Sequence, residues 1–421
     1  MHLWLVNPFD PLPSDHGSRH MRYQMLVAEL LRRKHQVTWI SADFMHTRKA
    51  YRRPPRPEQL PAGLQVALLP TSRYRWNIGP GRLLHHAQYC ARLRRWMERS
   101  TPPDGIVVSY PLPEAARDCL RYGQQVGVPV VVDVQDRWPD AFLDILPPPL
   151  HWIGRGVLTP MYRQSREVFQ QTARCVTVSQ HYLEWAQACR GPQAFDVGRV
   201  YYLGYDPTDR VGTNDEASMA ELLARGFTPE TTNFSFIGTL GVSYDIGCLI
   251  RAARHIAAEY PRVRFMIAGD GPRRARWQAM ATGLGLKNVI FLGFLKTGPL
   301  RTMLRHSFAG LITIRNNRQS VQNKPAEYMA FGLPLISSLE GEFAQFVDQE
   351  PLGVSYRATD VDSLTGAIRQ LLDTPAFAEA CRQRVRQLFE ERFSAQAIYP
   401  AYVDDLEQIC MPATAERELG R

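Results

Sequence analysis

The stretch QNKPAEYMAFGLPLIS, residues 322–337, holds the pattern from which the rest of the chain can be read. Pro325 suits the first turn of a helix, Gly332 suits its end, and LPLIS opens a buried strand. The unit is therefore loop, short helix, strand. A helix start fed by a loop offers N–H groups to an anion, and Lys324 adds a positive charge there. A capping box ending in Glu327 would need Ser or Thr at position 324, where Lys stands, so a ligand accounts for the pair better than capping does. Three residues apart on a helix, Lys324 and Glu327 share one face.

Outward from this unit, strand and helix signals alternate. FSFIGTLG (234–241), VRFMIAGDGP (263–272), VIFLGFL (289–295) and FAGLITI (308–314) read as strands, the first three running into glycine turns. IGCLIRAARHIAAEY (246–260), RRARWQAMATGLG (273–285) and a segment from about 298 to 306 read as the helices between them. The same rhythm fills the first half, with strands LWLV, QVTWIS, LQVALL, GIVVSY, VPVVVDV and CVTVS and a helix over 19–34 whose Met21, Met25, Leu26, Leu30 and Leu31 make an apolar stripe. This predicts an α/β protein of two doubly wound halves, joined near the polar, turn-rich YYLGYDPTDR (201–210). Ligands of such sheets bind beyond the carboxyl ends of the strands.

Composition agrees. A chain of 421 residues exceeds one ordinary core, and 45% hydrophobic with 22% charged residues is the balance of a soluble globular enzyme. The seven cysteines form no C-x-x-C pair, so neither a zinc knuckle nor a disulfide framework is expected. MHLWLVNPFDP carries too short an apolar run for a signal peptide, and no stretch approaches the roughly 18 apolar residues of a membrane span, so a cytoplasmic protein is expected. The net charge of +9 is concentrated in RRPPRP (52–57), RLRRWMER (92–99) and RRARW (273–277). An anionic membrane surface, with Trp96 as interfacial anchor, and a plain solvated face both account for these clusters. Nucleic acid is not an expected partner, because no recognition-helix, ribonucleoprotein or zinc-finger signature accompanies them.

Glycines stand where the strands of the second half end: Gly238, Gly241, Gly269, Gly271, Gly293 and Gly332. With Lys324 and Glu327 at the same edge they point to a phosphate-bearing ligand. GDGPRR (269–274) lacks the third glycine of the dinucleotide fingerprint and no P-loop occurs, so the expected ligand is a nucleotide held by neither device.

FIGTLG, IAGDGP, VIFLGFL and NKPAEYMAFGLPLI, in this order and spacing, resemble the donor-binding domain of family 4 glycosyltransferases of the GT-B fold. HGSRHMRYQMLVAELLRRKHQVTWISADFMH (16–46) and VDVQDRWPD (132–140) resemble the members that build bacterial capsule, O-antigen and exopolysaccharide. The resemblance implies two Rossmann-like domains facing a central cleft: an acceptor-binding domain over 1–205, a nucleotide-sugar-binding domain over 206–392, and C-terminal helices over 393–421 crossing back to the first domain. It implies a retaining, metal-independent transfer of sugar from a UDP- or GDP-sugar to a glycan acceptor, lipid-linked, at the inner face of the cytoplasmic membrane. No separate cofactor is implied, and no Asp-x-Asp metal motif stands beside the donor loops.

Carried over by position, Glu327 matches the second glutamate of the family's Glu-x7-Glu motif, which binds ribose hydroxyls, and the first falls on Gln319. The basic residues that many members place after the first glycine of this domain fall on Thr239 and Tyr244, which leaves Lys324, with Gly238, Thr239, Ser243, Gly269 and Asn323, to meet the diphosphate. The resemblance puts the base beside Phe294 and Leu295, for which core packing is the alternative. Gly17, Ser18 and Arg19 match the loop facing the donor's phosphates, although Arg19 also suits an ordinary surface position. Asp136, in a segment without the histidine many members carry there, matches an acidic position that orients or deprotonates the acceptor; capping of the turn before Trp138-Pro139 is the other reading. The catalytic candidates are thus Asp136 and Lys324. A nucleotide-sugar epimerase of the same fold and a catalytically inactive assembly scaffold are the rival functions.

Overall fold

The computed structural model describes residues 1–15, 20–76, 79–143, 146–206, 216–315 and 323–411. The chain divides into two compact units, Met1–Tyr202 with Ile398–Arg421, and Leu203–Ala397.

The first unit is built on β1 (His2–Val6), β2 (Gln36–Ala42), β3 (Leu64–Leu69), β4 (Gly105–Tyr110), β5 (Val130–Val134), β6 (Arg174–Thr177) and β7 (Val197–Val200). They form one parallel sheet in the order β3-β2-β1-β4-β5-β6-β7. Leu3, Leu5, Val107 and Val132 are fully buried, as befits a sheet covered by helices on both faces. The helix expected over 19–34 runs only over Arg22–Arg32: Met21 is extended, and Lys34 turns left-handed with φ +64°.

The second unit repeats the plan with β8 (Thr232–Ile237), β9 (Val263–Ala268), β10 (Val289–Gly293), β11 (Ala309–Ile312), β12 (Leu335–Ser337) and β13 (Gly353–Ser355), ordered β10-β9-β8-β11-β12-β13 and parallel throughout. Asp245 caps the helix Ile246–Glu259 by accepting from the Cys248 N–H, and Ile246, Leu249, Ile250, Ala253 and Ile256 follow at helical spacing into the core. Asp360 does the same for Val361–Asp373, whose Leu364, Ile368 and Leu371 join that core. In both units the strand order reverses beside the first strand, between β1 and β4 and between β8 and β11. Such a switch point opens a crevice at the carboxyl edge of the sheet.

Candidate functional site

In the second unit the chain after β8 is locked to the chain after β9. Gly238 donates to the Ala268 carbonyl (3.0 Å), Leu240 to that of Asp270 (2.8 Å), and Gly269 to that of Gly293 (2.8 Å). A Cβ on Gly269, whose φ is +133°, would overlap the Gly238 carbonyl, and one on Gly271, whose φ is +158°, would overlap the Leu240 backbone. Glycine is needed at both because backbone lies against backbone. Leu240 is buried, while Thr239 and Ser243 on either side of it are exposed at the sheet edge.

The opening motif forms the helix Lys324–Ala330, with Asn323 as its N-cap, and Gly332 at φ +66° follows its end. Tyr328 fixes where this helix sits. Its hydroxyl accepts from the Ile237 N–H (2.9 Å) and donates to the Leu311 carbonyl (3.2 Å), so it bridges the ends of β8 and β11 at the switch point. Gly310 permits the approach, since a Cβ there would overlap the Tyr328 ring. The helix start is thereby held under the glycine loop. Lys324 Cε and Nζ lie 2.9 Å from where a Cβ on Gly238 would stand. The ammonium rests 3.6 Å from the Tyr244 ring centroid and 5.4 Å from that of Phe236. Tyr244, standing where many relatives are expected to place a basic residue, is thus the aromatic seat of the cation, a contact worth about 0.5–2 kcal/mol. Lys324 and Glu327 are both buried, at 9% and 5% exposure.

Leu295 is buried, whereas Phe294 is 67% exposed, so Phe294 is not a core residue. Its turn is pinned by Arg225, which donates to the Leu292 (2.7 Å) and Phe294 (3.1 Å) carbonyls. Gln319, and Gly17, Ser18 and Arg19 of the first unit, lie outside the described residues.

At the carboxyl edge of the first sheet, Asp133 is fully buried in an ion pair with Arg22, whose guanidinium donates to it at 2.9–3.2 Å and to the Tyr201 carbonyl at 2.7 Å. Asp136 accepts from the Arg137 N–H (2.8 Å) and the Trp138 indole (3.1 Å), so it caps its own turn. Burial pushes its carboxyl above the usual range despite those bonds.

A cluster that the linear reading missed surrounds Trp138. Arg82 stacks on its indole at 4.9 Å and donates to His86 Nε2 (3.4 Å), whose ring lies 6.0 Å from that of Trp138. His85 and His46 pack on Tyr74, and Lys49 lies 4.2 Å from the Tyr74 centroid. Burial, then the neighbouring cations, pull His46 down to about 4 and His86 to about 3, so both imidazoles are neutral at pH 7. A histidine does reach the Trp138 turn, then, but from the helix Pro80–Arg99 and not from 132–140. The adjacent His85-His86 pair was its only signal in the sequence. Among the described residues no group of three or more His, Cys, Asp and Glu is placed to hold a metal.

The basic clusters fare unevenly. Trp96 is half-buried with its ring 4.7 Å from that of Trp4, edge to face, so it is a packing residue and not an interfacial anchor. Arg52 is buried against Asp15, and Arg94 pairs with Asp118.

Two parallel sheets with reversed strand order, the second with a cation held beneath a glycine loop, make an α/β protein of GT-B type. Residues 20–205 match the family described as glycosyl transferase 4-like domain, and residues 231–374 match glycosyl transferases group 1. The chain belongs to these glycosyltransferase families. Alpha-D-kanosaminyltransferase of Streptomyces kanamyceticus is 23% identical over 201 residues, 47% of this chain and 52% of that protein. O-antigen chain mannosyltransferase C of Escherichia coli is 27% identical over 149 residues, 35% of this chain and 40% of its own. The chain spans about half the length of the curated relatives it matches, from 40% to 61%. HepE of Anabaena, solved in complex with UDP, shares the fold with a TM-score of 0.68 and 14% identity over 97% of this chain and 99% of that one. Among the described residues no helix is long and apolar enough to cross a membrane.

Proposed function

We propose that the protein is a retaining glycosyltransferase that moves a sugar from a nucleotide sugar to a glycan acceptor, lipid-linked, in the assembly of a bacterial cell-surface polysaccharide. The observation that carries this reading is the Lys324 ammonium seated on Tyr244 beneath Gly238, at the switch point of a unit that matches the group 1 glycosyltransferases.

As the donor's glycosidic bond breaks, negative charge grows on the departing nucleoside diphosphate, and a preorganised cation stabilises that charge more than it stabilises the ground state. Lys324 supplies the cation, so the transfer proceeds without a metal. Glu327, one turn along the helix, accepts hydrogen bonds from the ribose diol. Gly238, Thr239, Ser243, Gly269 and Asn323 line the diphosphate, and the base lies near Phe294 and Leu295. In the first unit Asp136 orients the acceptor hydroxyl, using the acceptor capacity its turn leaves over. The protein works at the inner face of the cytoplasmic membrane.

Two variants test the donor assignment. Lys324→Ala should lower turnover about 10²- to 10³-fold with a smaller effect on donor affinity. Glu327→Gln should mainly weaken donor binding. Thermal shift against UDP-, GDP- and dTDP-sugars identifies the base, and turnover that survives a chelator supports the metal-free reading. Wild-type kinetics in both variants would remove the site. Isomerised donor in place of transferred sugar would replace the function with epimerisation, and donor binding without turnover on any acceptor would replace it with a scaffold.

A further inference from the structure

Exposed apolar side chains gather on one segment of the first unit. Pro147, Pro148, Pro149, Leu150, Trp152, Ile153 and Val157 all face solvent, Trp152 at 75% and Val157 at 74% exposure. The helix His151–Val157 is held from its other side, where Leu143 and Leu146 close on Gly154. Its apolar outer face is therefore presented outward by packing. Between Leu146 and Arg166 the sequence carries three arginines, Arg155, Arg163 and Arg166, and no carboxylate, and all three arginines are exposed. They line a groove of about 730 Å³ running beside Trp185 and Ala188. Among the described residues the carboxylate of that groove is Asp140, and it is engaged by the Tyr162 hydroxyl and the Trp185 indole.

We propose that this face, residues 147–166, is the surface by which the protein docks on an anionic lipid bilayer. A bilayer suits both halves of the surface at once. Tryptophan and aliphatic side chains partition into the boundary between headgroups and acyl chains, and the arginines meet lipid phosphates at the same depth. A soluble acidic partner would match the arginines and leave the apolar row in water. The proposal rests on the lipid-linked acceptor of the proposed function, and it moves the contact away from the RLRRWMER cluster, whose Trp96 is spent on packing.

Flotation of the full chain with phosphatidylcholine vesicles, with and without phosphatidylglycerol, provides the test. Wild type should float only with phosphatidylglycerol and be released by salt, which screens such attraction within about 8 Å at physiological ionic strength. Trp152→Ser combined with Val157→Ser should lower partitioning roughly tenfold or more. Arg163→Gln and Arg166→Gln should each lower it roughly fivefold. These side chains are exposed, so melting temperatures should stay at the wild-type value. Leu83→Ser with Leu84→Ser, a second exposed apolar pair, should leave partitioning unchanged. Wild-type flotation by the Trp152/Val157 variant, or loss of it in the Leu83/Leu84 variant, would move the surface elsewhere. Absence of wild-type binding to both vesicles, with self-association that the Trp152/Val157 variant abolishes, would make the face an interface between copies. Nucleotide binding in solution is measured alongside: its loss in wild type would overturn the glycosyltransferase reading, and its retention confines any failure to the docking surface.

Discussion

Replacing Arg22 with methionine removes the cation paired with a carboxylate that has no access to water. The Arg22 and Asp133 side chains are 2% and 0% exposed; Arg22 Nε–H is shared between the two carboxylate oxygens at 2.9 and 3.2 Å, and Nη2 donates to Oδ1 at 2.9 Å. After Arg22→Met, the side-chain bond to Asp133 that remains among the described residues is the long one from Gln135, at 3.4 Å. Breaking a buried pair from one side costs about 3–5 kcal/mol, because the charge left behind is not rehydrated. For a unit of this size each kcal/mol lowers the melting point by about 2–4 °C, so the first unit should melt roughly 6–20 °C lower. Scanning calorimetry reads this directly, with the transition of the second unit as an internal standard. Arg22→Met combined with Asp133→Leu should recover most of the loss, since an apolar pair replaces the ion pair without stranding a charge. A single variant within about 1 kcal/mol of wild type would refute the reasoning, as would a double variant no better than the single.

Three further outcomes are expected. Burial holds the Asp10 carboxyl at about 6, above its ordinary 3.8, so its favourable contribution is complete below about pH 4 and is lost as pH rises through 6. Wild-type stability relative to Asp10→Asn should accordingly fall by up to about 3 kcal/mol between pH 4 and 7 in denaturant titrations, and a flat difference would contradict the assignment. Gly269→Ala should cost about 3 kcal/mol, the upper end of overpacking, and weaken the thermal shift given by UDP, because its Cβ meets the Gly238 carbonyl; an unchanged melt would show that the loop yields. Asp136→Asn keeps an acceptor for the Arg137 N–H, so it should lower turnover about 10²-fold and leave nucleotide binding alone, and wild-type turnover would leave Asp136 as a turn cap only.

Buried parallel strands announce themselves in sequence as β-branched runs, which is why GIVVSY and VPVVVDV were legible as β4 and β5. Val197–Val200 and Gly353–Ser355 were not, being three or four residues long with glycine inside and lying at sheet edges, where less apolar surface is needed. The Lys324 to Glu327 unit could be read because its parts are sequence neighbours. Tyr244 as the seat of Lys324 could not, since the two stand on different elements and only the β8–β11 bridge made by Tyr328 brings them together. The His46, His85 and His86 cluster likewise draws on separate segments after different strands. Trp96 misled for the opposite reason: basic neighbours describe the flanks of a helix, and Trp4 across the packing interface was invisible to a local window.

The helix Ala395–Cys410 carries a consequence for how the polypeptide is made. From Ile398 onward it belongs to the first unit, where Tyr402 is fully buried and stacked on Tyr201, the Tyr201 hydroxyl donates to Asp405, and Arg33 reaches Asp404 and Glu407. Cys410 fills the space beside Gly105 that any larger residue there would claim. Most of the first unit is therefore synthesised before the second yet completed after it, once the contiguous second unit has been made whole. Until then Tyr201 and the Arg22 pocket lack their cover, and a nascent or C-terminally clipped chain exposes apolar surface that invites chaperones or self-association. The helix Ala395–Cys410 makes an intact chain through Cys410 a condition for a finished first unit.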